Sequence, residues 1–461
     1  MKAMRWLWHE LTRPRGPVSH RFYRVGRSSR SGVALLIAIA CLLFLTMAGV
    51  EISSTSLSRV RYAANARDEA KAEALAYSGL NFYRLILVTA AGMDSKIKSA
   101  TGGGGPIASM LGPMASMISG DMLWQMVPMI NTNLLRMVFV SGDSTPDADD
   151  MAELQATELS EEDRERSEAE GTKPGFLSFE GDFLAEVTDE SKRINIKNIQ
   201  GADLAGLQQD PAAVQVHALM TGMNSCQSIR ENRAASIDDD SDNTAWLRDR
   251  NLEPWELIGN LADWVDVDQN RAYLGGTEDT LYERLDEPYK AKNAPFDTLE
   301  EVRLVEGWHR DDVWERFGDN LTVFGDGKVN VNTAECEVLW ALVRTASQIP
   351  LADTEVDSCL RAVEGARMLV PFNSADQFVQ FLQNSGQNQQ QSLGAVAQGS
   401  NIPQGTCSLT VNPTFKDRVT TKTKVFRVTS VGSVGNAQVT IEAVYDFSKS
   451  VEGETLYWRI D

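Results

Sequence analysis

The sequence of 461 residues predicts an α+β protein with a long N-terminal helix, an antiparallel sheet, and a large block of helices inserted into that sheet. An uncharged apolar run at residues 33–50 continues into a proline-free, helix-forming stretch at residues 51–90. Residues 202–320 have mostly helical spacing. Alternation of apolar and polar residues predicts strands before and after that block, at 176–187, 193–199, 419–431, 437–447 and 454–460.

The apolar run at residues 33–50 is long enough to cross a bilayer, because about 18 helical residues span roughly 27 Å. Beyond it, apolar residues recur every three or four positions: Leu57, Val60, Ala64, Leu75, Gly79, Phe82 and Ile86. This spacing predicts one continuous helix whose second half packs on a globular head. A coiled coil is the alternative, but the stripe is too short and too rich in alanine to favour it.

The segment before the apolar run is basic, whereas the whole chain has a net charge of −20. An excess of Lys and Arg beside a hydrophobic span marks the cytoplasmic side, so we expect the rest of the chain to be exported. A removed secretory signal ending near residues 48–50 is the competing interpretation. The acidic exported part would repel phosphate, which argues against a nucleic-acid partner.

The cysteines allow disulfides outside the cytoplasm. Cys41 lies in the apolar run, and the other four are Cys226, Cys336, Cys359 and Cys407. Four cysteines allow three pairings, and the sequence does not choose among them. Four reduced, buried thiols are the alternative. Because there is no Cys-x-x-Cys pair or His cluster, we do not expect zinc.

Two stretches in the first half differ from the rest in composition. Residues 107–140 are rich in Met and predict one or two apolar helices, either buried or facing a partner. Residues 141–174 are acidic and predict a solvated linker. In the second half we predict a strand at residues 321–331, a helix at residues 333–345 capped by Thr333 or Asn332, and a flexible loop at residues 384–404.

Five carboxylates lie close together in the sequence and suggest a calcium site. They are Asp263, Asp266, Asp268, Glu278 and Asp279, with Gly275 and Gly276 between them to allow a tight bend. Hard oxygen ligands along a loop suit Ca²⁺, although the spacing is not that of an EF-hand. The alternative is a set of helix caps and surface acids, with Asp263 packed beside Trp264.

The N-terminal junction and three internal segments carry a family resemblance. Arg30 and Gly32 stand directly before the apolar run, as in the class III signals of type IV pilins and pseudopilins. The internal segments begin Asp-Trp-Val-Asp-Val-Asp at residue 263, Lys-Asn-Ala-Pro-Phe-Asp at residue 292 and Lys-Val-Asn-Val-Asn-Thr at residue 328. Together they resemble the K-type minor pseudopilin (GspK) of type II secretion systems, over residues 32–90 and 176–461.

The resemblance implies a pilin-like fold and a place at the tip of a short periplasmic pseudopilus. Cleavage by a prepilin peptidase after Gly32 would leave a methylated Val33 at the mature N-terminus. The implied partners are the I- and J-type minor pseudopilins, the major pseudopilin, the inner-membrane secretion platform and the peptidase, and the helical domain would hold calcium. Most subunits of such filaments have Glu at the fifth mature position, where this chain has Ile37.

We expect the following organisation. Residues 1–32 are a cytoplasmic leader, 33–90 the pilin helix with its membrane span at 33–50, and 91–174 an insertion or linker. Residues 175–200 contribute strands, 201–320 form the inserted helical domain, 321–404 add a strand and further helices to it, and 405–461 complete the sheet. The chain would thus cross the inner membrane once, with its bulk in the periplasm.

Two other classes of function remain open at this stage. One is a minor pilin of a DNA-uptake or adhesion filament, since residues 304–307 and 330–334 also resemble helix-hairpin-helix modules. The acidic balance argues against DNA as a partner. The other is a membrane-anchored periplasmic enzyme. The sequence has four His residues and no Gly-x-Ser-x-Gly elbow, so we predict a protein without catalytic activity.

Overall fold

The computed structural model describes residues 31–101, 124, 129–132, 180–222, 226, 229, 242–285, 287–392 and 405–461. The predictions for the leader, the acidic linker, most of the Met-rich stretch and residues 393–404 of the expected loop lie outside these residues. The start of that loop was predicted wrongly, because the helix Ala375–Ser392 continues through residues 384–392. The chain divides into two compact units, Met1–Ala66 and Arg67–Asp461. The finer domain boundaries given above stay predictions.

Helix α1, Ser31–Thr101, confirms the prediction of one long N-terminal helix. In the first unit its apolar side chains are exposed, for example Leu35 at 62% and Phe44 at 77%. The stretch Leu35–Gly92 contains a window with a mean hydropathy of 2.5 and no buried residue. By length and composition this part of α1 can cross a membrane, and it is the chain's candidate anchor.

The second unit contains an antiparallel sheet in the order β1-β2-β7-β8-β9. Its strands are β1 Met129–Asn131, β2 Asp182–Asp189, β7 Val425–Val434, β8 Ala437–Asp446 and β9 Glu454–Ile460. Strands β2 and β7 are neighbours in the sheet, with Leu184 opposite Val431, although more than 230 residues separate them in sequence. The α+β fold class predicted from the sequence is confirmed.

One face of the sheet is covered by α1. The helix contributes Ala72, Leu75, Ala76, Leu80, Tyr83 and Leu87 to a core that also contains Phe183, Val187, Val428, Ile441 and Ala443. Two glycines allow the close approach. A Cβ on Gly432 would overlap the Ala72 carbonyl and lie 2.6 Å from the Ala76 nitrogen, and a Cβ on Gly79 would overlap Ser430. Larger side chains at these positions would push the helix off the sheet.

The inserted domain lies between β2 and β7 in sequence and has its own core. Its helices are α2 Leu204–Leu207, α3 Pro211–Met220, α4 Asn243–Asp249, α5 Pro254–Val265, α6 Asp279–Tyr282, α7 Asp311–Phe317, α8 Cys336–Arg344, α9 Asp353–Leu369 and α10 Ala375–Ser392. Two short parallel pairs join β3 Ile194–Asn195 to β4 Leu321–Thr322 and β5 Val329–Asn330 to β6 Val419–Thr420. Trp264 and Trp308 are buried in this core, while Trp246, Trp255 and Trp314 are partly buried against it.

Several predicted elements differ from the structure. The expected strand at 321–331 is two strands, β4 and β5, because Gly325 and Gly327 adopt positive φ values between them. Helix α8 begins at Cys336 rather than at residue 333. The reason is that Thr333 donates its hydroxyl hydrogen bond to Asp189, at 2.6 Å, and Asn332 accepts one from the Phe372 amide, at 2.8 Å.

Two predicted strands have different boundaries in the structure, and one strand was not predicted. The strand expected at 176–187 begins at Asp182, and the one expected at 419–431 is interrupted, with β6 ending at Thr420 and β7 beginning at Val425. Within the Met-rich stretch, where helices were expected, Met129–Asn131 pairs with β2 as an edge strand. Ile130 is buried there, so packing on the sheet overrides the helical spacing of the methionines.

Two consecutive acids at the end of β2 join the sheet to the inserted domain. Asp189 accepts hydrogen bonds from Asn330, Thr333 and Thr423 at 2.6–2.8 Å. Glu190 is fully buried and forms ion pairs with Arg193, at 2.8 Å, and with Arg427 of β7. Burial opposes ionisation, but the two guanidinium groups lower the pKa of Glu190. The junction is therefore held by buried charge as well as by apolar packing.

Candidate metal centre

Three of the five predicted carboxylates converge at the C-terminal end of α5. Asp263 lies in the last turn of this helix and is 2% exposed, and Asp266 is its C-cap residue. Glu278 stands directly before α6 and is 1% exposed. Helix α5 is buried at every position from Leu257 to Val265, so Asp263 lies inside the inserted domain rather than at its surface.

The loop between the two helices folds back on itself and returns Glu278 to α5. The Arg271 amide donates to the Gly276 carbonyl at 3.0 Å, and Asn270 and Thr277 form an antiparallel bridge. The turn passes through positive φ values at Leu274, Gly275 and Gly276. The two glycines predicted to allow a bend therefore supply the left-handed backbone that the reversal requires.

The spacing of the oxygens suits one shared ion. One carboxylate oxygen from each of Asp263, Asp266 and Glu278 lies within 4.8 Å of the other two. Oxygens bound to a single Ca²⁺ at about 2.3–2.6 Å can be up to about 5 Å apart. The three residues therefore fit as part of a calcium coordination shell, which backbone carbonyls and water would complete.

Unpaired buried oxygens are the second observation that points to a cation. The Asp263 Oδ1 accepts a hydrogen bond from the Ala272 amide at 2.8 Å, but its Oδ2 has no partner among the described residues. Both carboxylate oxygens of Glu278 are buried and equally unpartnered there. Unsatisfied buried oxygens cost free energy. A bound cation would satisfy these three atoms at once.

The pKa values of the three carboxyl groups reflect their burial and the negative charge of their neighbours. Burial, with the neighbouring acids adding to it, raises the pKa of Asp263 to about 7 and that of Glu278 to about 8. Burial and the charge of Asp268 raise the pKa of Asp266. Three negative charges are therefore unfavourable together at this position without a compensating positive charge.

The other two predicted ligands, Asp268 and Asp279, have partners outside the cluster of three carboxylates. Asp268 accepts a hydrogen bond from the Asn270 amide at 2.7 Å, so its side chain stabilises the loop. Asp279 forms an ion pair with Lys290 at 2.8 Å. The interpretation of all five carboxylates as surface acids or caps does not describe Asp263 and Glu278, because both are buried.

An aromatic cluster beside the carboxylates was not predicted. Trp264 contacts Tyr282 edge-to-face with ring centroids 5.5 Å apart, and Tyr282 stacks on Tyr289 at 5.2 Å. Burial is the main cause of the raised pKa of Tyr282, and the charge of Asp263 adds to it. The available signal was the spacing of Tyr282 four residues after Glu278, one helical turn away. The cluster lies beside the carboxylates in the chain, since Trp264 directly follows Asp263 in α5 and Tyr282 ends α6, which Glu278 precedes.

The remaining predicted site residues lie elsewhere. Gly32 and Val33 are in the first turn of α1. The structure selects one of the three cysteine pairings, with Cys226 bonded to Cys336 and Cys359 bonded to Cys407. The Cα atoms of these pairs are 5.6 Å and 4.3 Å apart. The first disulfide connects the segment after α3 to the start of α8, and the second ties α9 to the segment that leads into β6.

The fold and the site together define a class of protein. A helix long and apolar enough for a membrane anchor packs on an antiparallel sheet, and a helical domain with an acidic site interrupts that sheet. This is the architecture of a pilin-like subunit with an inserted domain.

A family model matches part of the chain. Residues 192–323, which contain the three carboxylates, match the family model described as "Type II secretion system (T2SS), protein K". The match over this part of the chain confirms the resemblance to K-type minor pseudopilins that its motifs predict. No curated relative matches the sequence.

A solved structure is also similar to this chain. It is the GspK-GspI-GspJ complex of the type II secretion system from enterotoxigenic Escherichia coli. The match has 15% sequence identity and a TM-score of 0.39, and it covers 63% of this chain and 84% of the matched chain.

Proposed function

We propose that this chain is a minor pseudopilin at the tip of a type II secretion pseudopilus. There it initiates assembly with the I- and J-type minor pseudopilins and contacts secreted proteins or the outer-membrane channel. Its anchor crosses the inner membrane once, with the basic leader in the cytoplasm and the second unit in the periplasm. The prepilin peptidase, the major pseudopilin and the inner-membrane platform are its other partners. Its role is structural rather than catalytic.

One observation carries this proposal: the inserted domain enters between β2 and β7, two adjacent strands of the sheet that packs on α1. Subunits within a filament are surrounded by neighbours along their helices. A domain of this size attached to the sheet would collide with the next subunit inside a filament, whereas at the end of the filament it has free space. The protein K domain occupies the inserted part of the chain, which supports the same position.

Ile37 provides independent support. In pseudopilins processed after the glycine, the carboxylate at the fifth mature position neutralises the N-terminal amine of a neighbouring subunit. With Val33 as the first mature residue, that position is Ile37, an apolar side chain. A subunit at the tip lacks one longitudinal neighbour and so does not need this carboxylate.

We also propose that the carboxylate cluster binds Ca²⁺ as a structural ion. Asp263, Asp266 and Glu278 would hold it, and the ion would supply positive charge that fixes the loop between α5 and α6. Its role would be to keep the inserted domain folded in the form that meets the partner subunits. No chemistry is assigned to it.

The tip position predicts an unfavourable effect of a new carboxylate at residue 37. In Ile37→Glu the carboxylate would lie in the membrane without a partner amine, at a cost of up to about 3 kcal/mol, the value for the bilayer centre. We expect secretion to fall at least severalfold in a strain that carries only this variant, measured as secreted enzyme per cell. The isosteric neutral variant Ile37→Gln serves as control and should secrete better than Ile37→Glu. Full secretion by Ile37→Glu would contradict the tip position.

A further inference from the structure

The motif Lys-Asn-Ala-Pro-Phe-Asp at residues 292–297 is connected to the loop between α5 and α6. We call residues 266–278 the calcium loop. The side-chain amide of Asn293 donates a hydrogen bond to the backbone carbonyl of Asp268 at 2.7 Å, across 25 residues of sequence. The motif therefore reaches the middle of the first half of the calcium loop, between two of the proposed ligands.

The calcium loop has little packing of its own. Residues 267–270 and 274–277 are all exposed, and the apolar side chains of Val267 and Leu274 are 87% and 75% exposed. Segments with few buried apolar contacts have low local stability. The position of the loop therefore depends mainly on its hydrogen bonds.

The segment Asp268–Gln269 is hydrogen-bonded to two of the three proposed ligands. The Asp268 amide donates to a carboxylate oxygen of Asp266 at 3.2 Å. The Glu278 amide donates to the Gln269 carbonyl at 3.3 Å. Since Asn293 holds the Asp268 carbonyl, one side chain outside the loop fixes the backbone to which both ligands are attached.

The motif is anchored in the inserted domain on both sides of Asn293. Before it, Lys292 forms ion pairs with Asp297, at 2.7 Å, and with Glu301, at 2.8 Å. After it, the Phe296 side chain is completely buried. The donor therefore sits on a part of the domain whose position does not depend on the calcium loop.

The backbone of Asn293 is left-handed, with φ at 50°. Residues other than glycine seldom adopt this conformation, and Asn is one of the few that are enriched in it. Glycine adopts it at less cost but has no side chain to donate a hydrogen bond. Asn at this position meets both needs, a left-handed backbone and an amide donor.

We infer that Asn293 is a positioning residue for the calcium site. By holding the Asp268 carbonyl, it keeps Asp266 and Glu278 beside Asp263 before the ion binds. The apparent Kd of a site equals its intrinsic Kd divided by the fraction of chains already in the binding arrangement, so a prepositioned loop binds more tightly. The inference rests on the proposed calcium site and adds to it a residue that does not touch the ion.

The test removes the donor and keeps the backbone conformation. Asn293→Gly does this, and calcium binding to the full-length chain in detergent is measured by isothermal titration calorimetry. We expect the Kd for Ca²⁺ to rise about threefold to fivefold, since fivefold corresponds to about 1 kcal/mol, the net contribution of one hydrogen bond. A residue that only stabilised the fold would lower the melting temperature equally with calcium and with chelator and would leave the Kd unchanged.

Asn251→Gly is the matched control. Asn251 is also a left-handed Asn, with φ at 53°, and it lies in the inserted domain just before α5. Asp263 and Asp266 are at the other end of that 12-residue helix, about 18 Å away. We expect this variant to bind calcium with the Kd of the wild-type chain.

Hydrogen exchange measures the position of the loop directly. In the calcium-free chain, exchange at the amides of Asp268 and Glu278 should be faster in Asn293→Gly than in wild type, because both amides donate to groups that Asn293 holds in place. At saturating calcium the ion itself holds the loop, so the two chains should exchange equally.

The possible failures are distinguishable. If the wild-type chain binds calcium and Asn293→Gly binds it with the same Kd, or exchanges like wild type without calcium, the inference is overturned and the calcium site stands. Equal weakening by Asn251→Gly would also overturn it, because the effect would then not depend on the hydrogen bond to Asp268. If the wild-type chain does not bind calcium, the site and the inference are both overturned.

Discussion

Replacement of Glu190 by Ala should destabilise the second unit by about 3–5 kcal/mol, the range measured when one partner of a buried ion pair is removed. Glu190 is fully buried, and its partners Arg427 and Arg193 have only 12% and 17% of their side chains exposed. The substitution leaves Arg427 with Glu442 alone and removes the acceptor of the Thr322 hydroxyl. Urea unfolding followed by tryptophan fluorescence measures the difference.

The control for this prediction uses the same arginine. Glu442→Ala removes the other carboxylate bound to Arg427, but Glu442 is 22% exposed, so its loss should cost less. Equal destabilisation by the two variants would contradict the assignment of Glu190 as the centre of the junction.

The stability that Glu190 contributes should also depend on pH. Because the pKa of Glu190 is lowered in the folded state, its contribution to the free energy of unfolding is complete above the unfolded pKa of about 4.3 and is lost as the pH falls below it.

Calcium should raise the melting temperature of the wild-type chain, and Glu278→Gln should abolish the increase. At a free concentration one hundred times the Kd, binding to the folded state alone contributes about 2.7 kcal/mol. Without calcium the variant should be at least as stable as wild type, because it removes a buried, unpaired carboxylate from beside Asp263 and Asp266. Differential scanning calorimetry with calcium and with chelator provides both comparisons.

Asp279→Asn is the matched control for the calcium prediction. It removes a carboxylate from the next residue in the chain, but Asp279 pairs with Lys290 and lies outside the cluster of three. This variant should keep the calcium-dependent increase. If the wild-type chain melts at one temperature with calcium and with chelator, the three carboxylates are not a calcium site.

The sequence predicted those parts of the fold that follow from periodicity. Continuous helical spacing predicted α1, and alternation predicted β8 and β9 within one residue of their observed ends. The boundaries were missed where a glycine, or a hydrogen bond between distant parts of the sequence, decides where an element begins or ends. Thr333 is an example, because it resembles a helix cap in sequence but bonds to Asp189, which lies 144 residues away.

The candidate site was predicted at the level of the segment. The sequence showed that five acids lie in one segment. It did not show which of them are buried: Asp263 and Glu278 are buried by packing, whereas Asp279 forms an ion pair with Lys290. The junction acids were not predicted, because Glu190 at the end of a strand has the pattern of an exposed polar residue. Its partner Arg427 belongs to a strand that the inserted domain separates from it, and such long-range contacts leave no local signal.

The most direct test of the account is assembly with the two other minor pseudopilins. Mixing the full-length chain with I- and J-type subunits from the same organism, followed by mass measurement of the purified complex, should give one copy of each. Electron microscopy of filaments with a tag on the inserted domain should then show label at one end only. Label along the filament, or the absence of a ternary complex, would contradict the assignment of this chain as the tip subunit.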